Sequence, residues 1–142
     1  SNDLGLNKTL KDFQGTLANL NSTTYSLNKL IAELHQQQFT VQCDNSLPAI
    51  NAQVESTLTL ILTEAITNIL RHSNGDAVSI VLSSANQQIS LAIHDNGKCG
   101  NFVQGNGLQG ISERCQQLNG NVSIDTESGF ALNIILPENE NR

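Results

Sequence analysis

The sequence predicts an α+β domain: a two-layer sandwich with helices on one face of a mixed, mostly antiparallel sheet, preceded by a short N-terminal helix. Apolar residues recur at helical spacing through the first half of the chain, alternate at strand spacing across 77–94 and 121–136, and return to helical spacing between those strand pairs. Helices followed by hairpins with one helix between them gather on one side of a sheet. At 142 residues, the chain suits one domain with a full core.

The elements follow in order. Leu6, Leu10, Phe13, Leu17 and Leu20 alternate spacings of four and three, the stripe of a helix that packs into a bundle or coiled coil. The polar cluster Asn21-Ser22-Thr23-Thr24 is expected to end it, which sets a domain boundary between residues 22 and 23. Ser26 is the expected N-cap of a second helix carrying Leu27, Leu30, Ile31 and Leu34 and fading at Gln36-Gln37-Gln38. Phe39 to Cys43 alternates like a strand. After a turn at Asn45 to Pro48, a long helix runs through Val54, Leu58, Ile61, Leu62, Ala65, Ile66 and Ile69 to a stop at Asn74-Gly75. Strands at Ala77 to Ser83 and Ile89 to His94 form a hairpin through Ala85-Asn86-Gln87. A glycine-containing loop spans Asp95 to Gly107. Leu108, Ile111, Cys115 and Leu118 mark a short helix ending at Asn119-Gly120, and strands at Asn121 to Asp125 and Phe130 to Leu136 meet through Ser128-Gly129 and close at Pro137.

Composition excludes several classes. A net charge of -6 with seven Lys and Arg in all is the wrong sign for a nucleic-acid surface, so any bound phosphate must be held locally. No run of about 18 apolar residues marks a membrane span, and no signal peptide is visible. Cys43, Cys99 and Cys115 are odd in number and lack metal-ligand spacing, which fits incidental or buried thiols in a reducing cytoplasm. Ser1-Asn2 reads as a cloning remnant, so an excised fragment is expected.

Chemistry concentrates in three places. Glu64, Asn68, Arg71 and His72 interrupt the long apolar helix at i, i+4, i+7 and i+8, so they share one stripe. Burying that stripe unpaired would cost about 2 to 7 kcal/mol per group, so it should face a ligand, an ion or water; the competing reading is a solvated helix face. Asp95-Asn96-Gly97 follows a strand and, taken alone, is more often a plain turn. Gly105-Asn106-Gly107-Leu108-Gln109-Gly110 opens a helix with glycines that leave backbone N–H groups uncovered, a phosphate cradle. It is not a dinucleotide-binding fingerprint, because it follows a long loop rather than a strand.

In this order and spacing the three segments resemble the N, G1 and G2 boxes of the ATP-binding catalytic domain of bacterial sensor histidine kinases. That domain has the Bergerat-type fold shared with gyrase, Hsp90 and MutL. The DesK-like kinases, whose response regulators carry a helix-turn-helix output domain, are most similar, through Glu-Ala-Ile-Thr-Asn-Ile-Leu-Arg-His-Ser at 64–73 and Gly-Leu-Gln-Gly-Ile-Ser-Glu-Arg at 107–114. The resemblance covers about residues 27–137.

It implies ATP and Mg2+ as cofactors. Asn68 is the expected metal ligand, one amide oxygen being sufficient because Mg2+ keeps several waters. Glu64 is the expected catalytic residue, orienting a water or accepting a proton. Arg71 and His72 neutralise phosphate oxygens. Asp95 accepts a hydrogen bond from the adenine amino group and repels a guanine carbonyl, Gly97 lets the base approach the backbone, and Asn96 is expected among the nucleotide-binding residues. Gly105, Gly107, Leu108 and Gly110 contact phosphate, and the segment from Asn96 to Asn106 forms an ATP lid. Glu113 and Arg114 are expected to form surface ion pairs.

Two departures from the family pattern stand out. The second glycine of Asp-x-Gly-x-Gly is displaced by one residue to Gly100. Gly129-Phe130 replaces the common Gly-Thr near the last strand, so weaker or differently solvated adenine binding is expected. None of His35, His72 or His94 fits a phosphoacceptor.

The implied organisation is a remnant of the dimerisation-domain helix or linker over 1–22 and the catalytic domain over 23–142. The implied partners are a histidine-bearing dimerisation domain of the same protein, homodimeric at full length, and a cognate response regulator, without nucleic acid or direct membrane contact. The domain is expected to be cytoplasmic, in a protein attached to the inner membrane. The implied reaction is transfer of the γ-phosphoryl group of Mg-ATP to a histidine on that other domain, which this fragment does not supply. The alternatives are a non-catalytic ATP-binding regulatory module, a serine kinase of the anti-sigma-factor type, or a gyrase-like clamp, disfavoured because clamps carry a longer lid.

Overall fold

The structure, a computed structural model, describes residues 23–98, 106–127 and 129–138. A helix over 23–36, α1, leads into strand β1 (Thr40–Asn45) and the long helix α2 (Ala52–His72). Hairpin strands β2 (Ala77–Ala85) and β3 (Gln88–Asp95) follow, then helix α3 (Asn106–Gln117) and strands β4 (Asn121–Asp125) and β5 (Ala131–Pro137). The five strands lie in the order β1-β2-β3-β5-β4. β1 runs parallel to β2 across the α2 crossover, and the other neighbours are antiparallel. This is the mixed, mostly antiparallel sheet expected.

The apolar pattern explains the layering. Val78, Ile80 and Leu82 on β2, Ile89, Leu91 and Ile93 on β3, and Leu132, Ile134 and Leu136 on β5 point to one side and are buried. They share one core with Leu27, Leu30 and Leu34 of α1, seven apolar residues of α2, and Ile111 and Cys115 of α3. The alternate residues Gln88, Ser90, His94 and Asn133 are exposed on the opposite face. Among the described residues, helices therefore cover one face only. Each fully buried leucine or isoleucine contributes about 1.5–3 kcal/mol relative to exposure, so α2, whose inward face is buried from Val54 to Ile69, anchors the domain.

Helix ends depart from expectation in instructive ways. Thr23 and Thr24 are helical, and Ser26 lies inside α1 rather than capping it. Thr23 is buried, and its hydroxyl shares a 3.1 Å hydrogen bond with the Thr59 hydroxyl of α2. Tertiary pairing there overrides a weak helix propensity. The leucine stripe from Leu6 to Leu20 and the proposed boundary after residue 22 concern residues outside those described.

α1 stops where the glutamine run predicts. Gln38 takes a φ of 69°, its N–H donates to the His35 carbonyl, and the Phe39 N–H reaches back to the Leu34 carbonyl at 2.9 Å. This is a Schellman closure with buried Phe39 and Leu34 as its apolar pair. α3 closes the same way: Asn119 has φ 60°, and the Gly120 N–H bonds the Cys115 carbonyl at 2.7 Å. A Cβ at Gly120 would lie 2.7 Å from the Ile135 carbonyl oxygen, so the close approach of this turn to the β5 backbone requires glycine. Asn51 caps α2, its Oδ1 accepting from the N–H groups of Gln53 and Val54.

Candidate functional site

The site grows from the C-terminal end of α2. Along its polar stripe Glu64, Asn68 and His72 are half-buried and Arg71 is exposed, while Ala65, Ile66 and Ile69 between them are fully covered. Among the described residues, Asn68 Nδ2 is the buried side-chain polar atom left without a hydrogen-bond partner. An orphaned buried donor costs about 1–3 kcal/mol, so this amide fits a residue built to meet a ligand. One amide oxygen beside phosphate groups also suits Mg2+ chemistry. Arg71 and His72 occupy the last turn, where positive charge additionally complements the helix dipole.

Ser73 is the C-cap of α2, its N–H bonding the Ile69 carbonyl. Its hydroxyl donates to Asp95 Oδ1 at 2.9 Å and accepts the Gly75 N–H at 2.9 Å. Thus the end of the polar helix and the end of β3 meet directly. Asp95 is 0% exposed. Oδ1 also accepts the Gly97 N–H at 2.6 Å, and Oδ2 accepts the Phe130 N–H at 2.8 Å. A buried carboxylate is sustainable because these charge-assisted bonds replace its water.

Three glycines let the chain close around that carboxylate. A Cβ on Gly75 would collide with Asn96 Oδ1 and lie 2.5 Å from the Gly97 nitrogen; one on Gly97 would sit 2.7 Å from Asn74 Oδ1. Gly129 combines a φ of 96° with a would-be Cβ 2.6 Å from the Gly97 carbonyl oxygen. Only glycine satisfies both demands.

Asn96 braces the start of the sheet hairpin. Its Oδ1 accepts from the N–H groups of Asp76 and Ala77, and its Nδ2 donates to Asp76 Oδ1, each at 2.9 Å. The amide thus clasps the start of β2, leaving one N–H for anything else. Asn74 Oδ1 accepts the Lys98 N–H at 2.9 Å and ties down the segment leaving Gly97.

α3 packs against α2. It begins at Asn106, two residues before the Leu108 start expected. Gly107 and Leu108 therefore belong to the first turn, whose N–H groups have no partner within the helix, while Gly110 falls past it. Arg114 Nη1 donates to the Gly110 carbonyl at 3.4 Å, and Glu113 accepts from the Gln109 amide at 3.3 Å. Both are helix-local bonds, each partner lying four residues away on the same face. Gly105, Cys99, Gly100 and most of the expected lid lie outside the described residues.

Phe130 is 0% exposed: its side chain packs in the core while its backbone N–H serves Asp95. Cys43 is exposed and Cys115 buried. Burial pushes the Cys115 thiol up to about 11, and burial with the Asp44 charge raises Cys43. Neither is an activated thiolate at neutral pH. Sequence reasoning missed Ser73, Gly75 and Gly129 as parts of this cluster. Their signal was present as the serine closing the first motif and two glycines at turns, but only the fold juxtaposes them.

In sequence the chain is similar to sensor histidine kinases. No family model matches the chain. The chain is 32% identical over 89 residues to the sensor histidine kinase DesK of Bacillus subtilis, a match covering 60% of this chain and 24% of that protein. With the sensor histidine kinase LiaS of the same organism it shares 30% identity over 113 residues, 76% of this chain and 31% of that one. It thus spans about a quarter to a third of these relatives.

Among solved structures, the histidine kinase domain of the blue-light-activated kinase EL346 from Erythrobacter litoralis superposes with a TM-score of 0.68 at 18% identity, over 82% of this chain and 60% of that one. The Acinetobacter baumannii histidine kinase AdeS gives 0.65 at 16%, over 82% and 64%. The fold is that of histidine kinase catalytic domains. Among the described residues, no helix is long and apolar enough to cross a membrane.

Proposed function

We propose that this chain binds Mg-ATP and delivers its γ-phosphoryl group to a histidine on a separate dimerisation domain, within a two-component sensor kinase. The observation that carries this reading is the buried Asp95 carboxylate joined through Ser73 to the end of the α2 polar stripe. That junction sets a base-reading acceptor at one end of a row of phosphate-compatible side chains. The sensor kinases named above support the same reading, and none of these observations favours a serine kinase or a passive module.

The roles follow from chemistry. Asp95 accepts the amino group of the base. Asn68 is the residue that would hold Mg2+, which when bound supplies charge neutralisation between phosphate oxygens. Glu64, one turn earlier, orients a water or accepts the proton leaving the attacking imidazole. Arg71 and His72 balance phosphate charge, and the uncovered N–H groups of the first α3 turn, with Gly105, cradle phosphate oxygens. Catalysis in this scheme is positioning plus charge stabilisation. The acceptor domain and a response regulator are the partners, and attachment of the whole protein to the inner membrane is part of the proposal.

Incubating the chain with the separate dimerisation domain of its full-length protein and γ-labelled ATP tests this. Acid-labile label on that domain is expected. Acid-stable label would assign a serine kinase, and no label despite ATP binding would assign a passive module.

A further inference from the structure

We propose that Ser73 is a positioning residue for base selection: its hydroxyl holds Asp95 so that Oδ2 alone is left to accept the amino group of the base. This deepens the reading of the chain as an ATP-binding domain and rests on it.

The geometry is a count of lone pairs. A carboxylate offers about four acceptor positions. On Oδ1 both are taken, by the Ser73 hydroxyl at 2.9 Å and the Gly97 N–H at 2.6 Å. On Oδ2 one is taken by the Phe130 N–H at 2.8 Å, which leaves one. The Ser73 hydroxyl cannot turn away, because its oxygen accepts the Gly75 N–H at 2.9 Å and this directs its proton at Asp95. Gly75, Gly97 and Gly129 crowd the same carboxylate or one another so closely that no side chain fits between them.

The carboxylate is therefore fixed in orientation, with a single acceptor position, on Oδ2, that no protein donor fills. An amino donor fits that position and a carbonyl oxygen does not. Without the hydroxyl, Oδ1 regains an open lone pair, the carboxylate gains freedom to rotate, and the preference for an amino group blurs. Ser73 also links the two motifs mechanically, since it is both the cap of α2 and a ligand of the residue ending β3.

The test compares ATP with purine riboside triphosphate, which keeps the ring and the phosphates and lacks the amino group. Calorimetric titration of the 142-residue chain with Mg2+ present gives a ratio of the two affinities. In Ser73→Ala that ratio is expected to fall about tenfold through loss of ATP affinity, with the amino-free nucleotide changed by no more than about twofold, and Ser73→Thr is expected to restore it. Equal weakening of both nucleotides, or an unchanged ratio, would reduce Ser73 to a helix cap and overturn the proposal. If circular dichroism shows Ser73→Ala unfolded, Ser73→Cys, a weak donor of similar size, carries the same comparison. A wild-type chain that binds neither nucleotide would instead overturn the ATP-binding reading itself, and this proposal with it.

Discussion

Asp95 shows how a buried charge organises its neighbours. Its three intramolecular hydrogen bonds come from three chain segments, so small changes in any of them reach the carboxylate. Gly129 is the sharpest case, because φ 96° and a 2.6 Å approach to the Gly97 carbonyl oxygen must both be met. Gly129→Ala is expected to cost about 2 kcal/mol or more in urea unfolding, from backbone strain plus overpacking. It should also weaken ATP binding by displacing the Phe130 N–H; unchanged stability and affinity would show that β5 tolerates the shift. Phe130 raises a related point. Its replacement of the usual threonine reads from sequence as a change in adenine solvation, whereas its ring fills the core, so a threonine there would leave a cavity as well as add a hydroxyl.

At the scale of elements, strands and helices were legible wherever period and burial agree. The seven apolar residues assigned to the inward face of α2 are all buried, and the β2–β3 hairpin turns at Asn86-Gln87. That turn puts both residues at positive φ, 55° and 64°, the geometry that matches strand twist but disfavours a glutamine. Gln87→Gly is expected to raise stability by up to about 1 kcal/mol, read as a shift of the urea midpoint at constant slope; destabilisation would mean that the side chain makes a compensating contact. Helix starts were less legible. Ser26 has the composition of a cap but lies inside α1, because a Thr23 to Thr59 hydrogen bond across the helix pair carries the helix further back. Such pairings join residues 36 apart in sequence and leave no local pattern.

For the whole molecule, the three motifs were legible because their residue types are costly without a purpose: an amide and a carboxylate among apolar neighbours, and glycines at a helix start. The clasp that joins the first two was not, since Ser73, Gly75 and Gly129 acquire meaning only when α2, β3 and β5 converge. The same convergence divides work within the second motif. The Asp95 carboxylate gathers Ser73, Gly97 and Phe130 around it, whereas the Asn96 amide braces β2. In the proposed function, the α2 stripe and Asp95 together form the wall against which a nucleotide is held.

The most direct measurement is calorimetric titration of the chain with ATP, with and without Mg2+, alongside Asn68→Ala. The expected result is saturable binding that depends on Mg2+ and disappears in Asn68→Ala while the fold persists by circular dichroism. Undiminished Mg-ATP binding by Asn68→Ala would contradict the assignment of the α2 stripe as the magnesium and phosphate wall.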